Sequence, residues 1–470
     1  MDNKITRKTF LKKASLLTLG FTGLGNYLLS QSMNNLSNLY YDLIKDPKGI
    51  INLPLGFQYK IVSQYKDKMN DGLQVPDHAD GMGCFKIDRD RVALIRNHEL
   101  GRFEEFNFKG EHKKSAFPDT NNLSEYYSKE FIYDNCKDGM ACFGGTTTTI
   151  YNTKKISVEN EYLSLAGTLI NCSGGITPWG TWITCEETVA KKNNFLLKDH
   201  GYNFEVIPNK NRVLSKPTPI KSMGRFRHEA VAFHHGEVGS VYQTEDRTNG
   251  LIYRFLPNNR TKLLKGGRLQ ALSFMDEYSL DTRNWGKKKI KQGKSYNVRW
   301  FDLEDIESPN DDLREQGYQK GCAMFARPEG MWEHDGRIYF TCTSGGKNKL
   351  GQIWEYTPSL YEGLTSEEKY PAKLKLFFES DRAKSLDMCD NITISPFGDI
   401  IICEDGGGVD HLIGITWDGR SYKIAKNILN NSEFAGACFS PDGKILFVNI
   451  YKPTITLAIT GDWSNLSINC

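Results

Sequence analysis

One pattern recurs along the chain and limits what it can fold into. A turn is followed by a β-rich run that ends in polar or acidic residues. The runs are RVALIRNHE (91–99), GTWITCEE (180–187), GSVYQTED (239–246), GRIYFTCT (336–343), GDIIICED (398–405) and GKILFVNI (443–450). Five open on Gly and the first on Arg91. Six residues on from each opening stand Asn97, Glu186, Glu245, Cys342, Glu404 and Asn449. Each run follows another β-like segment, such as EGMWEHDG (329–336), CDNITISPFG (389–398) or FAGACFSPDG (434–443), joined by Pro-x-Gly or Asp-Gly turn chemistry. The unit is therefore strand, tight turn, strand. In an antiparallel hairpin the start of the first strand and the end of the second share one end. Glu329 then falls beside the Cys342 end, and Asp390 beside the Glu404–Asp405 end. Radial repetition gathers these polar ends around one opening and leaves few strand edges exposed. The expected fold is all-β, a six-bladed β-propeller with insertions between blade strands. The charged stretch 264–311 is expected to be one such insertion.

Several classes are excluded by charge and hydropathy. Lys+Arg 60 against Asp+Glu 57 gives a net charge of +3, which argues against nucleic-acid binding driven by counterion release. The expected organisation is an export signal over 1–32, a linker over 33–49, and a single catalytic domain over 50–470. TRKTFLK (6–12) followed by an apolar stretch is a basic n-region and h-region. It is similar to a twin-arginine leader, with Lys8 where a second Arg is usual, and cleavage is expected near Ser30–Ser32. The predicted location is therefore outside the cytoplasm, in the periplasm or at the cell surface, by way of the export machinery. The 11 cysteines lack the regular spacing of a disulfide framework, and Cys84, Cys142, Cys342, Cys403 and Cys438 sit in apolar runs as buried small hydrophobes.

The chemistry-bearing residues cluster at the run ends. Cys185, Glu186 and Glu187 are contiguous; a thiolate with carboxylates selects a transition metal, whereas carboxylates alone suit calcium. Glu245 with Asp246 and Glu404 with Asp405 end two further runs. Converging acids repel one another, and bound cations are the simplest compensation. Arg327 and Glu329 stand two apart in FARPEGMW, where a guanidinium fork suits phosphate and the carboxylate a metal. No Walker loop or GxSxG elbow is present.

Taken together, NHE, GGTTT, TPWGTWITCEE, RFRHEA, QTEDR, ARPEGMW, GQIWEY, CDNITISPFGDIIICEDG, FAGACFSPDG and ITGDW resemble the PhoX-type alkaline phosphatases over 50–463. The resemblance implies a six-bladed propeller, twin-arginine export, and a ferric iron and calcium site that hydrolyses phosphate monoesters. Position by position it implies Cys185 as the iron thiolate, Glu245, Glu329 and Asp405 as metal ligands, and Asn97 and Arg327 as phosphate contacts. Glu186, Glu187, Asp246 and Glu404 are added as calcium ligands. The expected partners are phosphate monoesters, and the expected state is a monomer. Two rivals remain: a metal-dependent phosphodiesterase or phytase-like esterase on the same fold, and a non-catalytic calcium-stabilised binding propeller.

Overall fold

The computed structural model describes residues 42–101, 123–137, 139, 141–286, 289–463 and 466. The leader expected over 1–32 lies outside the described residues. No helix among the described residues is long and apolar enough to cross a membrane.

The chain forms an all-β, propeller-like fold of antiparallel sheets. One four-stranded sheet runs Ala79–Lys86, Arg91–His98, Gly144–Asn152, Ser157–Thr168, and a three-stranded sheet runs Asn171–Ile176, Trp182–Glu186, Asn203–Val206. A five-stranded sheet runs from Cys389–Ile394 through Ile400–Glu404, His411–Ile415 and Ser421–Asn427 to Ile51–Asn52. Another four-stranded sheet runs Phe434–Phe439, Ile445–Ile450, Ile455–Thr460, Gln58–Gln64. The N-terminal strands Ile51–Asn52 and Gln58–Gln64 thus complete sheets built from the C-terminal end, which ties the chain into a ring.

The fifth sheet has nine strands, where separate blades were expected. The cause lies in 264–311, which is not a plain insertion. It contributes the strands Gly267–Phe274 and Ser295–Asp302. Ser295–Asp302 pairs with Gly267–Phe274 on one side and with Ala372–Glu379 on the other. It welds the hairpins that begin at His228–Phe233 to those that begin at Pro328–His334.

Six strands line the centre: Ala79–Lys86, Asn171–Ile176, His228–Phe233, Pro328–His334, Cys389–Ile394 and Phe434–Phe439. Each packs against the next, and the last packs against the first. Close approach demands small residues here. A Cβ on Gly81 would lie 2.5 Å from Ser173 Cα, and one on Gly436 would lie 2.2 Å from Asp80 O.

Apolar clusters fill each gap between neighbouring sheets. Ile95, Trp182 and Phe204 fill one, Ile183, Val231 and Tyr253 the next, and Tyr242, Phe340 and Trp354 a third. Tyr339 and Ile402, then Ile401 and Leu446, then Leu94 and Phe447 complete the circuit. At roughly 1.5–3 kcal/mol per fully buried large side chain, these clefts supply the stability that the polar centre does not. All ten described cysteines are buried, and no disulfide forms among the described residues.

Candidate metal centre

The second residue of each central strand follows one rule. In five of the six it is Asp80, Cys172, Glu229, Glu329 or Asp390, a metal-ligand type; in the sixth it is Ala435. Pairing with the neighbouring strand is irregular at the same place, between Ala79 and Met82, Asn171 and Gly174, His228 and Val231, Pro328 and Met331, and Cys389 and Ile392. A bulge re-aims a side chain, and here it directs the second residue toward the axis. The residue before the strand is left-handed at His78, Ile170, Arg327 and Met388, with φ of 53°, 49°, 51° and 54°. Such backbone costs on the order of 1 kcal/mol or more each and persists where surrounding structure enforces it.

Second-strand side chains tie the ring together by donating to the carbonyls of these same residues. Asn97 Nδ2 donates to Cys172 O at 3.1 Å, and Thr244 Oγ1 to Glu329 O at 2.6 Å. Thr341 Oγ1 donates to Asp390 O at 2.6 Å, and Asn449 Nδ2 to Asp80 O at 2.7 Å.

The donors converge. Ligand atoms of Cys172, Glu187 and Glu229 lie within 4.8 Å of one another, as do those of Glu229, Glu329 and Asp390, and those of Asp390, Asp405 and Glu433. Glu229 and Asp390 are shared, so the three groups form one continuous chain of donors. Asp80 Oδ1 is buried without a hydrogen-bond partner. Two arginines stand among them. Arg327 donates to Asp246 at 3.0 and 3.2 Å and to Glu329 at 2.6 Å, and its Nη1 lies 3.9 Å from Asp405. Arg227 Nη2 lies 2.8 Å from Glu187 Oε1.

The electrostatics are those of a site short of positive charge. Burial, then the neighbouring acids, raises Asp80, Glu229 and Glu433 well above the ordinary carboxylate range. Glu187 and Glu329 are raised the same way, against the pull of Arg227 and Arg327 respectively. Asp390 is pushed up to about 8 by burial and by Asp405, and Asp405 is itself raised. Burial and then Glu229, Glu187 and Asp80 push the Cys172 thiol up. A bound cation reverses every one of these shifts, because it favours the ionised form. Hard carboxylates beside one soft sulfur are a donor set suited to a transition metal at the sulfur and to oxygen-loving cations elsewhere.

Of the residues singled out from sequence, Glu187, Asp246, Glu329, Asp405 and Arg327 are brought together here. Cys185, Glu186, Glu245, Glu404 and Asn97 are not. Cys185 is buried among Ile183, Ile220, Met223 and Phe226, and burial alone raises its thiol. In each acid pair the first carboxylate still belongs to the strand and turns into the wall. Glu186 accepts from the amides of Leu169, Gly201 and Tyr202 and from His200 Nδ1. Glu245 accepts from Leu251 N and Tyr253 Oη, and Glu404 from the amides of Asp387 and His411. Asn97 is 0% exposed, its amide spent on Cys172 O, Ser173 O and Trp182 Nε1.

Asp80, Cys172, Glu229, Asp390 and Glu433 were not assigned from sequence as candidate ligands, nor was Arg227 beside them. A signal was present: a ligand-type residue followed by a small one in DG (80–81), CS (172–173), EA (229–230) and EG (329–330).

By sequence, residues 38–454 match the family described as Alkaline phosphatase PhoX. No curated protein matches the chain. Among solved structures it is similar to Pseudomonas fluorescens PhoX in complex with vanadate, a transition state analogue. There the identity is 17%, the TM-score 0.65, and the overlay covers 91% of this chain and 98% of that one. A looser likeness, TM-score 0.40 at 9% identity over 87% of this chain and 96% of the other, is to a gluconolactonase from Xanthomonas campestris.

Proposed function

The chain belongs to the PhoX alkaline phosphatase family and is a phosphatase, and from that premise we propose that it hydrolyses phosphate monoesters at the central mouth and releases inorganic phosphate. The observation that carries the reading is the convergence of Cys172 with Glu187, Glu229, Glu329, Asp390, Asp405 and Glu433. In this proposal Cys172, Glu187, Glu229 and Asp80 hold iron, and Glu329, Asp390, Asp405, Asp246 and Glu433 hold calcium. When bound, such cations supply Lewis acidity and the acidification of water.

The chain's own residues do the rest. Arg327 and Arg227 present their forks at the mouth to the phosphate oxygens, a role assigned from sequence to Arg327 and Asn97. Asn97 instead positions the Cys172 strand through its two carbonyl bonds. His228 is not placed to act as a base, since burial lowers its pKa to about 3 and its Nε2 donates to Gly224 O at 3.1 Å. His98 is likewise occupied, by Asp77 O and Thr147 Oγ1. A site that grips only the phosphate would leave the leaving group in solvent, which predicts broad ester tolerance.

We read the five sheets as six blades. Six central strands and six apolar clefts support that count, with the nine-stranded sheet taken as two blades joined at their rims. Export through the leader over 1–32 remains part of the proposal.

The test pairs elemental analysis of protein purified without chelator with an aryl phosphate assay. Iron and calcium are expected, with turnover lost on chelation and restored by adding the metals back. Faster turnover of the aryl diester would convert the reading to a phosphodiesterase. Calcium without iron and without turnover would favour a binding propeller.

A further inference from the structure

A second set of donors lies behind the mouth, on the other side of Glu186. Ligand atoms of Asp134, Cys142 and His200 are within 4.8 Å of one another, and all three residues are buried. Cys136 stands outside that group of three, with its Sγ 3.3 Å from Cys142 Sγ. None of these residues contributes to the phosphatase centre.

The independent observation is the imidazole. His200 is 0% exposed, and its buried Nε2 makes no short hydrogen bond; its one close partner is the Asp134 carboxylate, itself a member of the cluster. Nε2 is aimed into the cluster, with Asp134 Oδ2 3.5 Å away. The other ring nitrogen, Nδ1, is 2.7 Å from Glu186 Oε1. A carboxylate that takes one ring proton and leaves the opposite nitrogen pointing at thiols and a carboxylate is how metal-binding histidines are oriented. Glu186 is itself fixed by the amides of Leu169, Gly201 and Tyr202, so it holds the ring rigidly.

Asp134 accepts three amides, from Cys136, Leu197 and Lys198. Oδ2 takes two of these amides and also faces His200 Nε2, whereas Oδ1 takes one and keeps a lone pair for a ligand bond. The sulfur spacing also discriminates. Two Zn–S bonds of about 2.3 Å at a tetrahedral angle set the sulfurs roughly 3.7 Å apart, whereas a disulfide sets them about 2.05 Å apart. The observed 3.3 Å is a contact between two free thiols, too long for a disulfide and short enough for both sulfurs to reach one ion.

We propose that Cys136, Cys142, His200 and Asp134 form a structural site for one zinc-class divalent ion, with Glu186 as the positioning residue for His200. Two sulfurs, one imidazole and one carboxylate are a closed four-ligand set for such an ion. It would bind with release of the thiol protons and pin the segments around Asp134 and Leu196 to the strand end that carries Glu187.

The test uses full-length protein purified without chelator. About one equivalent of zinc per chain is expected beyond the metals of the mouth. Cys142→Ser and His200→Ala should each lose that zinc while iron content stays at the parent level. Should those variants fail to fold, the parent protein decides: titration of its thiols with an organomercurial under native conditions should release zinc to a chelating dye in step with thiol modification. Parent protein free of zinc, zinc unmoved by both variants, or a Cys136–Cys142 disulfide in the peptide map would overturn the proposal. The readout is zinc, not turnover, so its failure leaves the phosphatase reading untouched.

Discussion

Glu404 and Asp405 are neighbours in the chain and opposites in environment. Glu404, the last residue of its strand, is 2% exposed and accepts two backbone amides. Asp405, one residue on, faces Arg327, Asp390 and Glu433, and its carboxyl is raised by burial. Glu186 with Glu187 and Glu245 with Asp246 repeat the division. One residue of strand alternation separates a carboxylate that holds the wall from one that faces the acidic mouth. Two carboxylates can thus look identical in sequence and serve opposite ends.

The comparison breaks most visibly in turnover. Glu229→Gln or Asp390→Asn removes a shared donor of the mouth. A metal contributes several kcal/mol of charge stabilisation, so aryl phosphate kcat should fall on the order of a thousandfold. Circular dichroism should be unchanged, and the metal-free variant should melt above the metal-free parent. A wall carboxylate should behave in reverse. Glu404→Ala orphans the amides of Asp387 and His411 and should cost about 3 kcal/mol in chemical denaturation, while kcat per folded molecule stays within a few-fold of the parent.

The pH response sharpens the same contrast. An unfolded chain releases the Asp390 proton near 3.8, whereas the metal-free fold retains it to about 8. Between those values the folded state binds more protons, so its stability falls as pH rises. That contribution is complete below about 4 and gone above about 8. Chelated protein should therefore melt lower at pH 8 than at pH 5, and added calcium should abolish the difference. The smallest effect is expected at the rim of the mouth. Arg227→Lys keeps the charge beside Glu187 but loses the planar fork, and should lower kcat/KM about tenfold, or about 1.4 kcal/mol.

Much of this was legible in the chain. The six runs marked the second strand of each central hairpin, and their turns gave the antiparallel pairing. The ends of three runs supplied Glu187, Asp246 and Asp405. The shared register six residues into each run is real, but Asn97, Glu186, Glu245, Glu404 and Asn449 use it for wall hydrogen bonds. Most of the remaining candidate ligands come from the first strand, at its second residue beside a bulge, where simple alternation fails, and Glu433 comes from just before one. That is why Cys172, at the start of NCSGG, is less conspicuous in the sequence than Cys185 at the end of TWITC. The joined sheets were hidden for a different reason. Pairing of Ser295–Asp302 with Ala372–Glu379 bridges a long sequence separation, and nothing local in a charged segment announces its partner.

The two thiols provide the most direct test of the central account. They are 13 residues apart and buried in one apolar cluster, but only Cys172 also faces the carboxylates of Glu187 and Glu229. Iron content and aryl phosphate turnover should be measured side by side for Cys172→Ser and Cys185→Ser. The account predicts that Cys172→Ser loses both and that Cys185→Ser keeps both. Iron and turnover retained in Cys172→Ser and lost in Cys185→Ser would contradict it.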